Sequence, residues 1–516
     1  MLVASEVPGY DDAIAFLLGR IDYERVPPQR YRNREYKLDR MRELLSRLHE
    51  PQQRLKVVHI AGTKGKGSTA AMLASMATAA GLRVGAFTSP HLDRVEERIA
   101  INGQACSPAE LVRLVQQIRP EVEVMDDVAS RSSTTDSASR GPTYFELTTA
   151  LAMLHFASQK VDLAILEVGM GGRLDSTNVC QPLCTAITSI SYDHTRHLGD
   201  TLEKIAAEKA GIIKDRVPVV SGVKSPEAQN VIAATAAEHQ APLVQLDDDF
   251  DFSYHPPLCL TPQDGQGAGL EDSRGLATSR VHETESWRGT LDYRERKSAG
   301  GRSYSGVRLS LLGRHQAANA AVALAIAGVL EGQGFSFTES AIRQGLASAV
   351  CPARVELVHS RPAIVVDAAH NVASIAALLE VLDECFPAGP RTLVFASTLG
   401  KDLRGMLAGL VPKFDRIFFT RYRNNPRGVP ADDLAALTDE IAPAAGSGTK
   451  QVTVCKDPQA TWQAVRRVAP PDGLICVTGS FFIAAEMRQV IVGDADLPGS
   501  GQQVPGCKSQ AASLEA

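Results

Sequence analysis

Short, continuously apolar runs alternate with Ala- and Leu-rich stretches through most of the chain. Residues 56–60 read as a buried strand, 68–80 as a helix that ends at Gly81, and 83–87 as the next strand. A helix over 150–158 precedes a strand at 163–168, and runs at 185–190, 217–221 and 243–246 continue the series. Strands that are apolar throughout and separated by helices predict a parallel sheet covered on both faces. A helical stretch at 316–330 closes this first series. A second series follows, with strands at 363–367, 392–396, 416–420, 451–455 and 474–478, and helices that include 373–385 and 458–467. The expected fold is therefore α/β in two domains. The larger spans 1–350 and the smaller, Rossmann-like one spans 351–492, with the boundary at Cys351–Pro352. Three polar stretches break the pattern: 126–140, 256–305 and the tail 493–516. They read as surface insertions or disorder.

Composition narrows the class. With 516 residues, 44% hydrophobic and 22% charged, the chain has ample material for folded cores. Lys plus Arg total 54 against 59 for Asp plus Glu, and this net charge of −5 argues against a nucleic-acid partner. The nine Cys are scattered, and Cys180 and Cys184 lack a second pair that would complete a zinc site. Reduced thiols of a cytoplasmic protein are the expectation. Glu6, Asp11 and Asp12 stand where a signal peptide would need basic and apolar residues, and no run reaches the ~18–20 apolar residues of a membrane span.

The most specific chemistry lies in His59-Ile-Ala-Gly-Thr-Lys-Gly-Lys-Gly-Ser-Thr69, between an expected strand and an expected helix. Free N–H groups and the helix dipole favour an anion at that junction. Gly62, Gly65 and Gly67 let a phosphate approach the backbone, Lys66 neutralises its charge, and Ser68 or Thr69 reaches a Mg²⁺. Thr63 and Lys64 complete the loop. Gly67 departs from the strict phosphate-loop spelling by standing between Lys66 and Ser68.

This loop resembles the variant phosphate loop of the Mur ligase superfamily, and within it the folylpolyglutamate synthases and bifunctional dihydrofolate synthase/folylpolyglutamate synthases. Four more stretches carry the resemblance in the same order: Thr88-Ser-Pro-His-Leu92, Glu167-Val-Gly-Met-Gly-Gly-Arg-Leu-Asp-Ser-Thr-Asn178, Asp193-His194 with Glu208-Lys-Ala-Gly-Ile212, and Asp367-Ala-Ala-His-Asn371. Together they cover roughly residues 10–490 outside the polar stretches.

Ser89 and His194 each follow an expected strand, and Glu146 stands at an expected helix start. Oxygen donors with one imidazole suit Mg²⁺, yet each residue also has a plainer role. Ser89 could cap a turn, Glu146 could be a first-turn acid favoured by the helix dipole, and His194 could simply be packed. The resemblance implies that the family's Mg²⁺ ligands fall on these three. Lys209 shares an apolar helical stripe with Leu202, Ile205 and Ala206. It either snorkels to the edge or sits buried with a lowered pKa. The resemblance implies a carbamylated Lys209 that serves a second Mg²⁺. It also implies that Asn319, Arg354 and Asp367 contact ATP, with His370 near the glutamate or the transferred phosphoryl group. Ala353 stands where Pro-Gly-Arg is more usual. The run Gly169–Gly172 with Arg173 reads either as a tight turn or as a substrate-facing nest that favours an anion.

The reading that follows from the resemblance is an ATP- and Mg²⁺-dependent ligase of L-glutamate with a folate, and also with dihydropteroate. Lys66, His194 and Lys209 would be its catalytic residues. A monomer without nucleic-acid or membrane partners is implied. Another Mur-type amino-acid ligase, or an ATP-binding regulatory protein on a decayed ligase scaffold, are the alternatives.

Overall fold

A computed structural model of the chain describes residues 7–22, 38–131, 141–193, 195–257, 288–296, 301–386, 389–441, 450–494 and 497. They fall into two compact units. The first takes its residues from Met1–Ser253, Leu291–Val307 and Gln316–Ala349, and the second from Tyr254–Thr290, Arg308–His315 and Val350–Ala516.

In the first unit the apolar runs assemble into an eight-stranded sheet. Its strands are β1 (Val57–Ala61), β2 (Val84–Phe87), β3 (Ile99–Ile101), β4 (Gln104–Ala105), β5 (Leu163–Glu167), β6 (Pro182–Ile187), β7 (Val219–Ser221) and β8 (Leu243–Gln245), in the order β4-β3-β2-β5-β1-β6-β7-β8. The six strands from β2 to β8 in this order run parallel, and β3 and β4 add an antiparallel edge. Every residue of β1 and β5 is buried, the condition under which a strand carries no polar alternation. The chain leaves β1 toward β2 on one side and leaves β5 toward β6 on the other. Such a reversal opens a crevice at the carboxyl ends of the strands.

Two expected insertions are partly regular structure. Helix Pro108–Arg131 runs into the stretch expected to be irregular from 126, because Leu111, Leu114, Val115, Ile118, Val122 and Met125 form a buried stripe at helical spacing. Asp126 then pairs with Arg20 at 2.8 Å. Likewise β9 (Phe250–His255), β10 (Thr290–Glu295) and β11 (Ser303–Arg308) form a small sheet within or beside 256–305, ordered β11-β10-β9. On β10, Leu291 and Tyr293 alternate inward, a two-residue pattern easily lost among polar neighbours. Residues 132–140, 258–287, 297–300 and most of the tail lie outside the described residues.

The second unit has a six-stranded sheet of β12 (Glu356–Ser360), β13 (Ala363–Val366), β14 (Arg391–Phe395), β15 (Arg416–Phe419), β16 (Gln451–Val454) and β17 (Leu474–Thr478). The order is β12-β13-β17-β14-β15-β16, parallel except for β12, an antiparallel edge strand beyond the five expected. Its core holds Leu378, Leu382, Phe395, Phe414 and Phe419. Among the described residues no helix is long and apolar enough to cross a membrane.

Candidate active site

The phosphate loop joins β1 to helix Lys66–Ala79, with Gly65 as the N-cap. Gly62 and Gly65 have φ of +153° and +84°. A Cβ at Gly62 would lie 2.0 Å from Thr188 Oγ1, and one at Gly65 would lie 2.1 Å from Asn319 Oδ1. Conformation and space thus both demand glycine. The amides of Thr63 and Lys64 donate to the carbonyl and hydroxyl of Ser189 at 2.7 and 3.0 Å. Lys64 Nζ pairs with Asp193 at 3.0 Å. These two residues brace the loop. The anion-facing donors are then the first-turn amides from Lys66 onward, which have no acceptor within the helix.

Gly67 leaves room beside the loop for a carboxylate. A Cβ there would stand 3.3 Å from Glu167 Oε2. Glu167 ends β5, is 4% exposed, accepts a hydrogen bond from the Ser89 amide at 3.1 Å and lies 4.0 Å from Lys66 Nζ. The carboxylate beside the loop therefore belongs to Glu167.

Glu146 does not take that place. It is the third residue of helix Tyr144–Ser158, and its carboxylate accepts from the Thr143 amide at 2.7 Å while Thr143 Oγ1 accepts from the Glu146 amide. The Arg40 guanidinium closes on the same carboxylate at 3.1–3.2 Å. Both oxygens serve a capping box and a buried ion pair, so the first-turn role prevails over the expected Mg²⁺ role. Sequence reasoning missed Glu167, although it stands at the end of a buried strand, where open α/β sheets place ligand contacts.

Lys209 is on the inward face of helix Leu202–Ala210, capped by Thr201, with Ile205, Ala206 and Ala210 also buried. It is 4% exposed, and its Nζ donates to the Gly62 carbonyl at 2.9 Å. Burial, and secondarily the Lys66 charge, bring its pKa down to about 7, against the pull of Asp193 and Asp175. A neutral amine is thus available beside the phosphate loop. Snorkelling is excluded.

Ser68 and Thr69 are both buried, and Thr69 Oγ1 is 3.5 Å from the Asn319 carbonyl. Asn319 itself lies against Gly65 and donates to Gln316 at 3.0 Å, so the structure brings it to the loop. His194 lies outside the described residues.

Arg354 and Asp367 belong to the second unit. Asp367 follows β13 and accepts from the amides of Val355 and Ala369, both at 2.8 Å, which fixes the turn that carries Arg354. Ala353 in that turn has φ +55°, the left-handed region that glycine would occupy without strain. Glu356, the acid two residues beyond Arg354 and its plainest candidate structural partner, pairs instead with Arg488 at 2.8 Å. His370 Nδ1 lies 2.9 Å from the Ala368 carbonyl and therefore carries the proton.

The Gly169–Gly172 run is not an open anion nest. Asp175 Oδ2 already accepts from the amides of Gly169 and Met170 at 3.1 and 3.0 Å, and Arg173 pairs with Glu208 at 2.7 Å. The tight-turn reading holds at these positions because a buried carboxylate of the chain itself occupies the donors.

Among the described residues no group of three or more His, Cys, Asp and Glu could hold a metal. Mg²⁺, however, takes one or two carboxylates together with substrate phosphates and waters. The buried Glu167 carboxylate beside Lys66 and the Ser89 amide fits that sparse demand.

A parallel sheet, a glycine-shaped phosphate loop at its reversal point and a second α/β unit define the class as a nucleotide-dependent ligase of the Mur type. A family model of the Mur ligase middle domain matches residues 60–245, and one of the Mur ligase glutamate ligase domain matches 353–481. The dihydrofolate synthase/folylpolyglutamate synthase of Bacillus subtilis is 34% identical over 482 residues, covering 93% of this chain and 98% of that protein. Its namesake in Mycobacterium tuberculosis is 36% identical over 416 residues, 78% and 77% of the two chains. Mycobacterium tuberculosis folylpolyglutamate synthase complexed with ADP superposes with a TM-score of 0.77 at 30% identity, covering 94% and 98%. E. coli FolC in complex with DHPP and ADP gives 0.73 at 27%, covering 96% and 99%. The chain belongs to the dihydrofolate synthase/folylpolyglutamate synthase family of Mur ligases.

Proposed function

We propose that this chain is an ATP-dependent ligase that joins L-glutamate to a folate, and to dihydropteroate. Its relatives carry both names, and the observation that carries the reading here is the convergence of Lys66, Glu167 and the buried Lys209 on one phosphate loop. A carboxylate oxygen of the acceptor attacks the γ-phosphorus of ATP and ADP leaves. The glutamate amine then attacks the acyl phosphate, loses a proton and expels phosphate. Catalysis of this kind is chiefly positioning and charge neutralisation.

Lys66 and the first-turn amides hold the phosphates, and Lys66 offsets charge on the phosphoryl group in transfer. Asn319, Arg354 and Asp367 are the proposed nucleotide contacts. His194 and His370 are assigned to the reaction centre by family resemblance. Glu167 and the Ser89 hydroxyl would hold Mg²⁺, which supplies charge neutralisation of the phosphates. The neutral Lys209 amine is poised to add CO₂ and release a proton, and the resulting carbamate is the anionic oxygen group the resemblance implies. A cytoplasmic monomer completes the reading.

The test is phosphate release with ATP, Mg²⁺ and L-glutamate, run separately with dihydropteroate and with tetrahydrofolate. Release with both, and none without glutamate, is expected. Release with tetrahydrofolate alone would leave only polyglutamylation. Silence with both would overturn the folate assignment in favour of another Mur-type ligase or a decayed scaffold.

A further inference from the structure

His59 sits in the middle of β1, three residues before Gly62, and is fully buried. Its Nε2 lies 2.8 Å from Thr177 Oγ1, and its Nδ1 has no partner among the described residues. Thr177 Oγ1 in turn lies 2.5 Å from Asp175 Oδ1, which also accepts from the Thr177 amide at 3.0 Å. The other oxygen of Asp175 accepts the amides of Gly169 and Met170. Burial raises the pKa of Asp175, and three backbone amides that converge on the carboxylate oppose this by stabilising its charged form, the form in which it completes the chain. An ionised carboxylate cannot donate, so the single Thr177 hydroxyl proton points to Asp175. Thr177 Oγ1 must then accept from His59, whose proton is therefore on Nε2.

The direction of the chain follows: β1 donates through His59 to Thr177, Thr177 donates to Asp175, and Asp175 holds the turn after β5. Glu167 is two residues before that turn, and β1 pairs with β5 so that Ile60 stands opposite Glu167. The relay thus ties the strand that feeds the phosphate loop to the strand end that carries the carboxylate beside Lys66. We propose that His59 and Thr177 are positioning residues of the ligase, which hold the Gly169–Met170 turn, and Glu167 with it, in register with the phosphate loop. This rests on the ligase reading above, because the register matters to catalysis only if Glu167 works at the transferred phosphate.

Thr177→Val keeps the side-chain shape and removes the link, whereas Thr177→Ser keeps it. A misplacement on the ångström scale costs on the order of 100-fold in rate. The expectation is a fall of roughly ten- to 100-fold in kcat for Thr177→Val, with KM for ATP within about twofold of wild type and Thr177→Ser close to wild type. His59→Gln presents an N–H near the Nε2 position and should exceed His59→Leu by a similar factor, with both assayed well below their melting temperatures. Nitrogen-15 NMR of histidine-labelled protein should show His59 as the Nε2–H tautomer. Unchanged kcat in folded Thr177→Val, equality of the two His59 variants, or an Nδ1–H tautomer would each overturn the proposal. If wild type were silent with every folate acceptor, the ligase reading would fail while the tautomer measurement still reported on the relay.

Discussion

Replacing Lys209 with Met should make the protein more stable at low pH while destroying its activity. Met retains the unbranched stem and removes an ammonium that the fold buries to 4% exposure, so the change isolates the cost of that charge. Burial lowers the pKa from 10.5 to about 7. Between those values the unfolded chain holds a proton that the folded amine has released, so wild-type stability rises with pH across the window. Below about 7 both states are protonated and the full penalty stands. At ~1.36 kcal/mol per pH unit, the penalty is about 5 kcal/mol at pH 6 and falls to about 1.5 kcal/mol at pH 9.5. The variant also loses the hydrogen bond to the Gly62 carbonyl, worth about 1 kcal/mol. Lys209→Met should therefore exceed wild type by roughly 3–4 kcal/mol at pH 6 and by almost nothing at pH 9.5. Paired denaturation curves at the two pH values, in buffers stripped of CO₂ so that the amine stays unmodified, measure the gap. A gap that does not change with pH, or a variant less stable than wild type at pH 6, would refute the buried-ammonium argument.

The two glutamates should separate cleanly. Glu167→Gln is expected to lower kcat at least ~100-fold with little loss of stability, as removal of charge beside a transferred phosphate does. Glu146→Gln should keep turnover within a few-fold and lose roughly 1–3 kcal/mol, because it weakens a capping box and strands Arg40; phosphate release and thermal melts decide between them. Gly65→Ala puts a Cβ 2.1 Å from Asn319 Oδ1 at φ +84°, so nucleotide binding measured by calorimetry should disappear. Ala353→Gly relieves a left-handed alanine at φ +55°, a gain of about 1–2 kcal/mol, but removes a fully buried methyl and adds unfolded-state entropy of similar total size, so urea denaturation should show a net change below about 1 kcal/mol.

Much of the fold was legible because its signals are local. Continuous apolar runs marked β1, β2, β5, β13, β14, β15 and β17 to within about a residue or two at most ends, since a strand with most residues buried leaves few polar positions to blur it, whereas the exposed edge strand β16 showed through its alternating Gln-Val-Thr-Val. Elements with weaker patterns went unseen. Strands β3 and β4 have only three and two residues, the edge strand β12 is half-buried or exposed throughout, and β10 hides its two buried residues in a polar stretch. The helix through Asp126 continued because a buried stripe outweighed a polar composition. In the site, Gly62 and Gly65 of the phosphate loop were readable from spelling alone, since only glycine accepts their φ values and close contacts.

Residue types and their spacing along the chain determined the alternating α/β organisation, the phosphate loop and a lysine on an inward helical face, because each depends on neighbours within a few residues. Partner choice across long separations was decided only by the tertiary structure. Glu146 and Glu167 are both acids at the edge of a regular element, and nothing local says which one faces Lys66. The fold sends one to Arg40 and the other to the Ser89 amide. The Gly169–Met170 amides are equally suited to a ligand or to Asp175, and the carboxylate that lies within reach took them. His59 reads in sequence as one more residue of a buried strand. Its proton is placed by Thr177, 118 positions away in the chain, and only folding brings that hydroxyl to it.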